Sequence, residues 1–266
     1  MQKRNSVPVL RKQKVKSRSN RKLLLLLFLF FTVILVVLFF NSPLSKISQI
    51  SINGAQVLSE EEIRQALSLN EGDRYFFIEE EAVLEKLNVN NVIRTVQLSK
   101  KFPGQIEINI TEYPIVAYEM NSHSNQMEVI FSNGFAKEID NQEIMIDKPI
   151  LTGWSDGIED VKKELSLVLE KIPDHLLIEI SEISPLPPTL SYKDKIIIFT
   201  RSSFEVITTV SYLEEKILYL DNAINKLKQN EKVSGRIYML DSDTYEPIEI
   251  GERSQLNSAE ESFGIE

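Results

Sequence analysis

Residues 23–40 read LLLLLFLFFTVILVVLFF, eighteen residues with one mildly polar side chain, Thr32, and no charge. As a helix rising about 1.5 Å per residue, the run spans roughly 27 Å, close to the roughly 30 Å hydrocarbon core of a bilayer. Two other readings fit less well. The apolar region of a cleaved signal peptide is about 7–15 residues and leads into a small-x-small cleavage site. This run is longer, and Asn41-Ser42-Pro43-Leu44 follows it. A helix of a soluble domain would show a polar face, and this one has none. The run is read as an uncleaved membrane anchor, with Pro43 ending the helix.

Charge sets the expected orientation. Residues 1–22 carry nine Lys/Arg and no acid, and Lys46 is the only base shortly after the run. Such asymmetry places the basic side in the cytoplasm. Residues 1–22 then form a basic cytoplasmic tail, 23–40 a single transmembrane helix, and the body is extracytoplasmic. Retention of the tail by anionic lipid suits its position beside the helix; an RNA-binding arm is the rival reading. The formal net charge of −9 averages two unlike regions, because residues 23–266 carry 21 bases against 39 acids. An acidic body argues against nucleic acid as its partner. With no cysteine in 266 residues, disulfides, thiolate metal sites and Cys nucleophiles are excluded.

The first extracytoplasmic unit spans 47–114. Ile50 and Ile52 share one face of a short strand, and Asn53-Gly54 turns the chain. Ser59 with Glu62 three residues on forms a capping box, opening a helix with Ile63, Ala66 and Leu67 on one face. Gly72-Asp73 breaks it. A second helix from about Glu79 carries Val83 and Leu87. A strand over 92–99, a Phe102-Pro103-Gly104 turn and a strand over 105–113 follow. In the last strand Ile106, Ile108 and Ile110 alternate with Glu107, Asn109 and Thr111. The order is β-α-α-β-β, an α+β pair of layers.

That order, with Gly72, Val92, Lys101-Phe102-Pro103, Ile106, Ile108, Glu112-Tyr113-Pro114 and Ala117, resembles the POTRA domain of the FtsQ/DivIB family of bacterial division proteins. The resemblance covers about residues 20–250. In that family the POTRA domain follows directly after a single membrane helix, as it does here.

Residues 115–250 read as a second unit, a mixed, mostly antiparallel β domain with two helices. Strands are expected over 116–120, 127–131 and 135–139, the last two joined by Asn133-Gly134. The stretch from Lys148 to Gly153 resembles the family's step into its first long helix, on which Val161, Leu165, Val168, Leu169 and Ile172 share a face. Strands over 176–184, 195–200 and 204–208 follow, with a rigid turn at Pro185–Pro188. A helix carrying Leu213, Ile217, Leu220, Ile224 and Leu227 packs on the sheet, and a strand over 234–240 comes last. Residues 251–266 are polar and without periodicity, and read as a flexible acidic tail.

The sequence holds no G-x-S-x-G, H-E-x-x-H, G-x-x-x-x-G-K-[ST] or G-x-G-x-x-G pattern. His123 and His175 read as solvent-facing loop residues. Glu60-Glu61-Glu62 and Glu79-Glu80-Glu81 could be proposed as hydrolase carboxylates, but acids also suit the first turn of a helix. Asn109-Ile110-Thr111 matches a glycosylation sequon in mid-strand and is taken as chance. Trp154, the only tryptophan, is expected to pack over the sheet edge. No catalytic residue, cofactor or metal is assigned, and the chain is read as not an enzyme.

A non-catalytic anchored chain is most simply a binding scaffold, and unpaired strand edges offer the means. Two edges are candidates: the strand over 92–99, whose Lys100-Lys101 end could equally be a gatekeeper against aggregation, and the expected terminal strand over 236–240. The resemblance implies that the C-terminal strand region recruits a small single-pass FtsB/DivIC-type protein paired with an FtsL-type one, and so influences the septal peptidoglycan synthase. It implies Tyr238, Leu240, Tyr245 and Ile248 as partner contacts. Ile237 and Met239 are expected to face inward, Tyr238 and Leu240 outward. The alternative is a POTRA-type receptor for extracytoplasmic polypeptides.

Overall fold

A computed structural model describes residues 21–121, 124–139, 146–154 and 157–248. The basic segment 1–20, His123 and the acidic tail 251–266 lie outside the described residues. The apolar run lies within α1, Arg21–Asn41, none of whose residues is buried, and which is long and apolar enough to cross a membrane. Its one polar side chain needs no outside partner: the Thr32 hydroxyl donates to the Phe28 carbonyl at 2.9 Å, so no polar group is stranded in hydrocarbon. Pro43 opens a short 3-10 turn, Pro43–Ser45, that leads into the next unit.

That unit follows the expected order: β1 Gln49–Asn53, α2 Glu60–Leu67, a 3-10 turn Tyr75–Phe77, α3 Glu80–Asn88, β2 Ile93–Lys101 and β3 Gln105–Glu112. Its sheet runs β1-β3-β2, with β1 parallel and β2 antiparallel to β3. The capping box forms as read: Glu62 N–H donates to Ser59 Oγ at 3.2 Å, and Ser59 N–H donates to Glu62 Oε2 at 2.8 Å. Two details differ. Helix α2 stops at Ser68, in a left-handed conformation, four residues before Gly72. Ala66 is exposed, because Ile63 and Leu67 alone, one turn apart, fill the contact with the sheet. The Glu112 carboxylate ties β3 to the β1–α2 loop, accepting from the Val57 and Leu58 N–H groups at 2.9 Å each.

The second unit comprises β4 Ile115–Met120, β5 Met127–Phe131, β6 Ala136–Glu138, β7 Ile150–Leu151, α4 Glu159–Leu169, α5 Asp174–Leu177, β8 Ile180–Pro185, β9 Lys195–Thr200, β10 Phe204–Thr209, α6 Val210–Lys216, α7 Leu220–Gln229, β11 Gly235–Met239 and β12 Asp243–Glu246. They make a nine-stranded sheet in the order β12-β11-β10-β9-β8-β7-β4-β5-β6. The β10/β11, β7/β8 and β4/β7 pairs are parallel and the rest antiparallel. The α+β class, with an apolar helix before a β-α-α-β-β unit and a mixed sheet, is as expected.

Four local expectations are corrected. Leu176 and Leu177 lie in α5, not in a strand, since Pro173 and Asp174 supply a helix start. The long helix after β10 is divided by a 3-10 turn, Ile217–Tyr219, and Leu213, Ile217, Leu220 and Ile224 all remain buried. Tighter winding at three residues per turn rotates the second half so that its apolar face stays on the sheet. Trp154 packs over the sheet interior, not its edge, donating from Nε1 to the Ile183 carbonyl of β8 at 3.0 Å. The strand after α7 is not the last, because β12 pairs with it.

Strands β4 and β5 form a wall between two cores. Tyr118, Val129 and Phe131 pack with the first unit's core; Val116, Ala117 and Ile130 pack with the second's. A register irregularity between Ile115 and Ala117 lets neighbouring residues 116 and 117 both serve the second core. Ion pairs cross the same junction: Lys137 with Glu62 at 2.9 Å and Arg94 with Glu170 at 2.5 Å.

Candidate functional site

Strand β11 alternates as its sequence demands. Ile237 and Met239 are buried in the second core, while Arg236 and Tyr238 are half-buried on the other face and Leu240 is half-buried just past the strand. Its edges are both occupied. Ile237 pairs with Val206 of β10 on one side and with Tyr245 of β12 on the other. The free edge at this end of the sheet therefore belongs to β12, not to residues 236–240. Among the described residues no strand pairs with the outer side of β12.

The outward face of the last hairpin is polar and interlocked. The Arg236 guanidinium donates to Glu205 Oε2 at 2.8 Å from Nη2 and 3.1 Å from Nε, and Glu205 is 4% exposed. Burial works against the Arg236 charge, but hydrogen bonds to Glu205 and Tyr238 outweigh it and hold its pKa above the ordinary value. The Tyr238 hydroxyl donates to Glu246 Oε2 at 2.9 Å, pinning β12 to β11. On the inner face, the Tyr245 ring covers Gly235 and packs against the second core, and its hydroxyl donates to the Ser234 carbonyl at 2.9 Å.

The tip of the hairpin is clamped from below. The Asp241 carboxylate accepts from the Tyr192 hydroxyl at 2.6 Å and the Tyr212 hydroxyl at 2.9 Å. These bonds hold the Asp241 carboxyl below its usual pKa and both phenols above theirs. Lys216 pairs with Asp243 at 2.8 Å, a hydrogen bond that raises the lysine pKa. The buried Thr208 hydroxyl donates to the Met239 carbonyl at 2.8 Å. The edge strand is thus presented on a rigid support.

The four residues named from sequence gather in one hairpin but do not share a face. Tyr238 lies on the outward face of β11, and Leu240 is half-buried just past its end. Tyr245 points inward from the edge strand, and Ile248 is half-buried just past the end of β12. Strand β12 and the Tyr192–Asp241–Tyr212 clamp are not among the elements expected from sequence. Thr244 and Tyr245, strand-favouring residues just after Asp241-Ser242, were the available signal; the flanking Asp243 and Glu246 masked it. Separation of 49 and 29 residues hides the clamp in sequence. At the other sheet, β2 is an edge as expected, and its lysines are engaged. Lys100 donates to the Ile78 carbonyl at 2.6 Å, and Lys101 pairs with Glu107.

Comparison with known proteins places this architecture among relatives. The FtsQ-type POTRA domain family matches residues 45–113. The cell division protein DivIB of Paenibacillus polymyxa (strain E681) is 40% identical over 242 residues, 91% of this chain and 92% of that protein. The DivIB of Brevibacillus brevis is 27% identical over 226 residues, 85% of this chain and 84% of that protein. The DivIB of Bacillus subtilis (strain 168) is 25% identical over 228 residues, again 85% and 84%.

Proposed function

The chain belongs to the DivIB family of cell division proteins, and from that premise we propose that it is a non-catalytic scaffold of the septal division complex. Its N-terminus is cytoplasmic and its body extracytoplasmic. The body binds and stabilises FtsB/DivIC-type and FtsL-type single-pass proteins and through them supports the septal peptidoglycan synthase. The contact is the last hairpin: a partner strand adds to the outer edge of β12, and Tyr238, Leu240, Tyr245 and Ile248 flank it.

The observation that carries this reading is an edge on a rigid support that no strand among the described residues pairs with. An exposed strand edge carries main-chain donors and acceptors that a partner strand satisfies. Here the edge is short, Asp243–Glu246, and held by Tyr238–Glu246, Lys216–Asp243 and the Asp241 clamp. Preorganisation lowers the ordering cost that binding would otherwise incur.

The test is cross-linking in intact cells followed by purification of the full-length chain, with wild type set against a Tyr238→Lys, Leu240→Lys double variant. Lysine at 238 keeps an attractive partner in Glu246 but stands beside Arg236, so amide protection over 243–246 is measured in the variant to check that the hairpin stays formed. Small single-pass coiled-coil proteins are expected with wild type and lost with the variant, at unchanged thermal stability. Recovery of varied exported polypeptides from both would favour the receptor reading instead.

A further inference from the structure

We infer that the membrane-facing end of the POTRA unit is itself seated in the outer interface of the lipid bilayer, through Phe76, Phe77 and Phe102. These three large apolar side chains are 47%, 64% and 63% exposed. They come from two separate loops, the Tyr75–Phe77 3-10 turn and the turn between β2 and β3, yet they form one patch. Ring centroids of Phe76 and Phe102 are 6.4 Å apart.

The patch is continuous with the membrane helix. Phe76 lies 5.6 Å from Phe39 and 6.1 Å from Phe40, and Phe77 lies 5.9 Å from Phe40, centroid to centroid. Phe39 and Phe40 are the last residues of the apolar run. A run whose length matches the hydrocarbon thickness puts its final residues at the boundary. Rings within contact of them lie at the same depth.

No slack in the connection lets the domain lift away. Ser45 is 2% exposed, and its hydroxyl donates to the Phe40 and Ser42 carbonyls at 2.8 and 2.9 Å. Lys46 bridges to Arg74; Ile47 N–H donates to Asp73, and Gly72 N–H to Ile47, both at 2.8 Å. The exposed Lys46 and Arg74 stand beside the rings, with the Arg74 guanidinium 5.7 Å from the Phe77 centroid. Aromatic rings flanked by bases that reach for phosphates are what the bilayer interface accepts. Helix α3 leads away from this end: Glu80 in its first turn pairs with Lys100 near the end of β2, whereas Val89, just past its last turn, lies near the start of β2.

The test uses the full-length chain, which has no native cysteine. Phe77→Cys, Phe102→Cys and Val89→Cys variants each carry an environment-sensitive fluorophore in vesicles of phosphatidylethanolamine and phosphatidylglycerol. A matched thermal transition confirms each fold. Val89 is 77% exposed and serves as the water-side reference. The labels at 77 and 102 are expected to emit as in an apolar medium and to lose most of their emission to shallow doxyl-labelled lipid, while the label at 89 is unaffected. Labels at 77 and 102 as wet as at 89 would overturn the inference. So would apolar emission that the lipid quencher does not reach, since protein packing alone would then cover the rings.

Discussion

The ring of Tyr245 lies across Gly235, so close that a methyl group on residue 235 would stand 2.4 Å from Tyr245 Cε2. This contact closes the base of the last hairpin, where Gly235 also adopts φ +151°. Gly235→Ala therefore forces Tyr245 off the core, at a cost of about 1–3 kcal/mol for overpacking. Tyr245→Phe keeps the ring and removes only the bond to Ser234, costing about 0.5–1.5 kcal/mol. Urea unfolding of the full-length protein in detergent, with amide exchange over 243–246, reads both. Equal effects of the two substitutions would contradict the packing role.

The Asp241 clamp makes the hairpin tip sensitive to pH at both ends. The depressed Asp241 pKa contributes stability that is present above its ordinary value of 3.8 and lost as pH falls through the lower folded value. The raised Tyr192 and Tyr212 pKa values contribute stability that is present below 10.0 and lost as pH rises through their higher folded values. Protection of the amides at residues 241–243, taken relative to the intrinsic exchange rate at each pH, is expected to be highest across the neutral range and to fall in strong acid and strong base. In a Tyr192→Phe, Tyr212→Phe variant, this dependence should largely vanish.

Glu62 serves two masters, its own helix and the neighbouring unit. The Lys137 hydrogen bond and the Ser59 N–H lower its pKa from 4.5 to about 2. Its contribution is therefore complete above pH 4.5 and is lost as pH falls through about 2. Glu62→Ala removes half of the capping box and the cross-unit pair. The expected loss is about 1 kcal/mol, mostly from the cap, because an exposed ion pair is worth about 0–1 kcal/mol. Lys137→Ala should cost less. A larger loss from Lys137→Ala, read by urea unfolding, would reverse that assignment.

Phe131 is fully buried in the wall between the two cores, stacked on Phe135 at 6.3 Å. Phe131→Ala is expected to cost about 3–5 kcal/mol. Because the residue packs with the first unit's core from a strand of the second unit's sheet, amide exchange should quicken in α2 and α3 as well as in β4–β6. Quickening confined to β5 would show that the wall does not couple the units.

What the sequence disclosed follows from local physics. The membrane run, the Ser59–Glu62 box and the Ile106–Ile108–Ile110 alternation each depend on neighbours a few residues away, and each formed as expected. Short apolar runs such as Leu176-Leu177 carry no period, so nothing local separates a strand from the helix that forms there. The edge strand β12 escaped because an edge exposed to water carries Asp243 and Glu246 where a central strand would carry apolar residues. Long-range partners were invisible for a different reason. Nothing local marks Tyr192 as the mate of Asp241, or Phe76 as the neighbour of Phe39.

That a partner strand docks on β12 is tested most directly by a photo-cross-linking residue at Thr244, exposed in mid-edge, in the full-length chain in dividing cells. The expected result is one dominant product with a small single-pass division protein, absent from the Tyr238→Lys, Leu240→Lys background and absent when the probe is moved to Leu190 in the β8–β9 loop. No product at 244, or the same products at 244 and 190, would contradict docking at this edge.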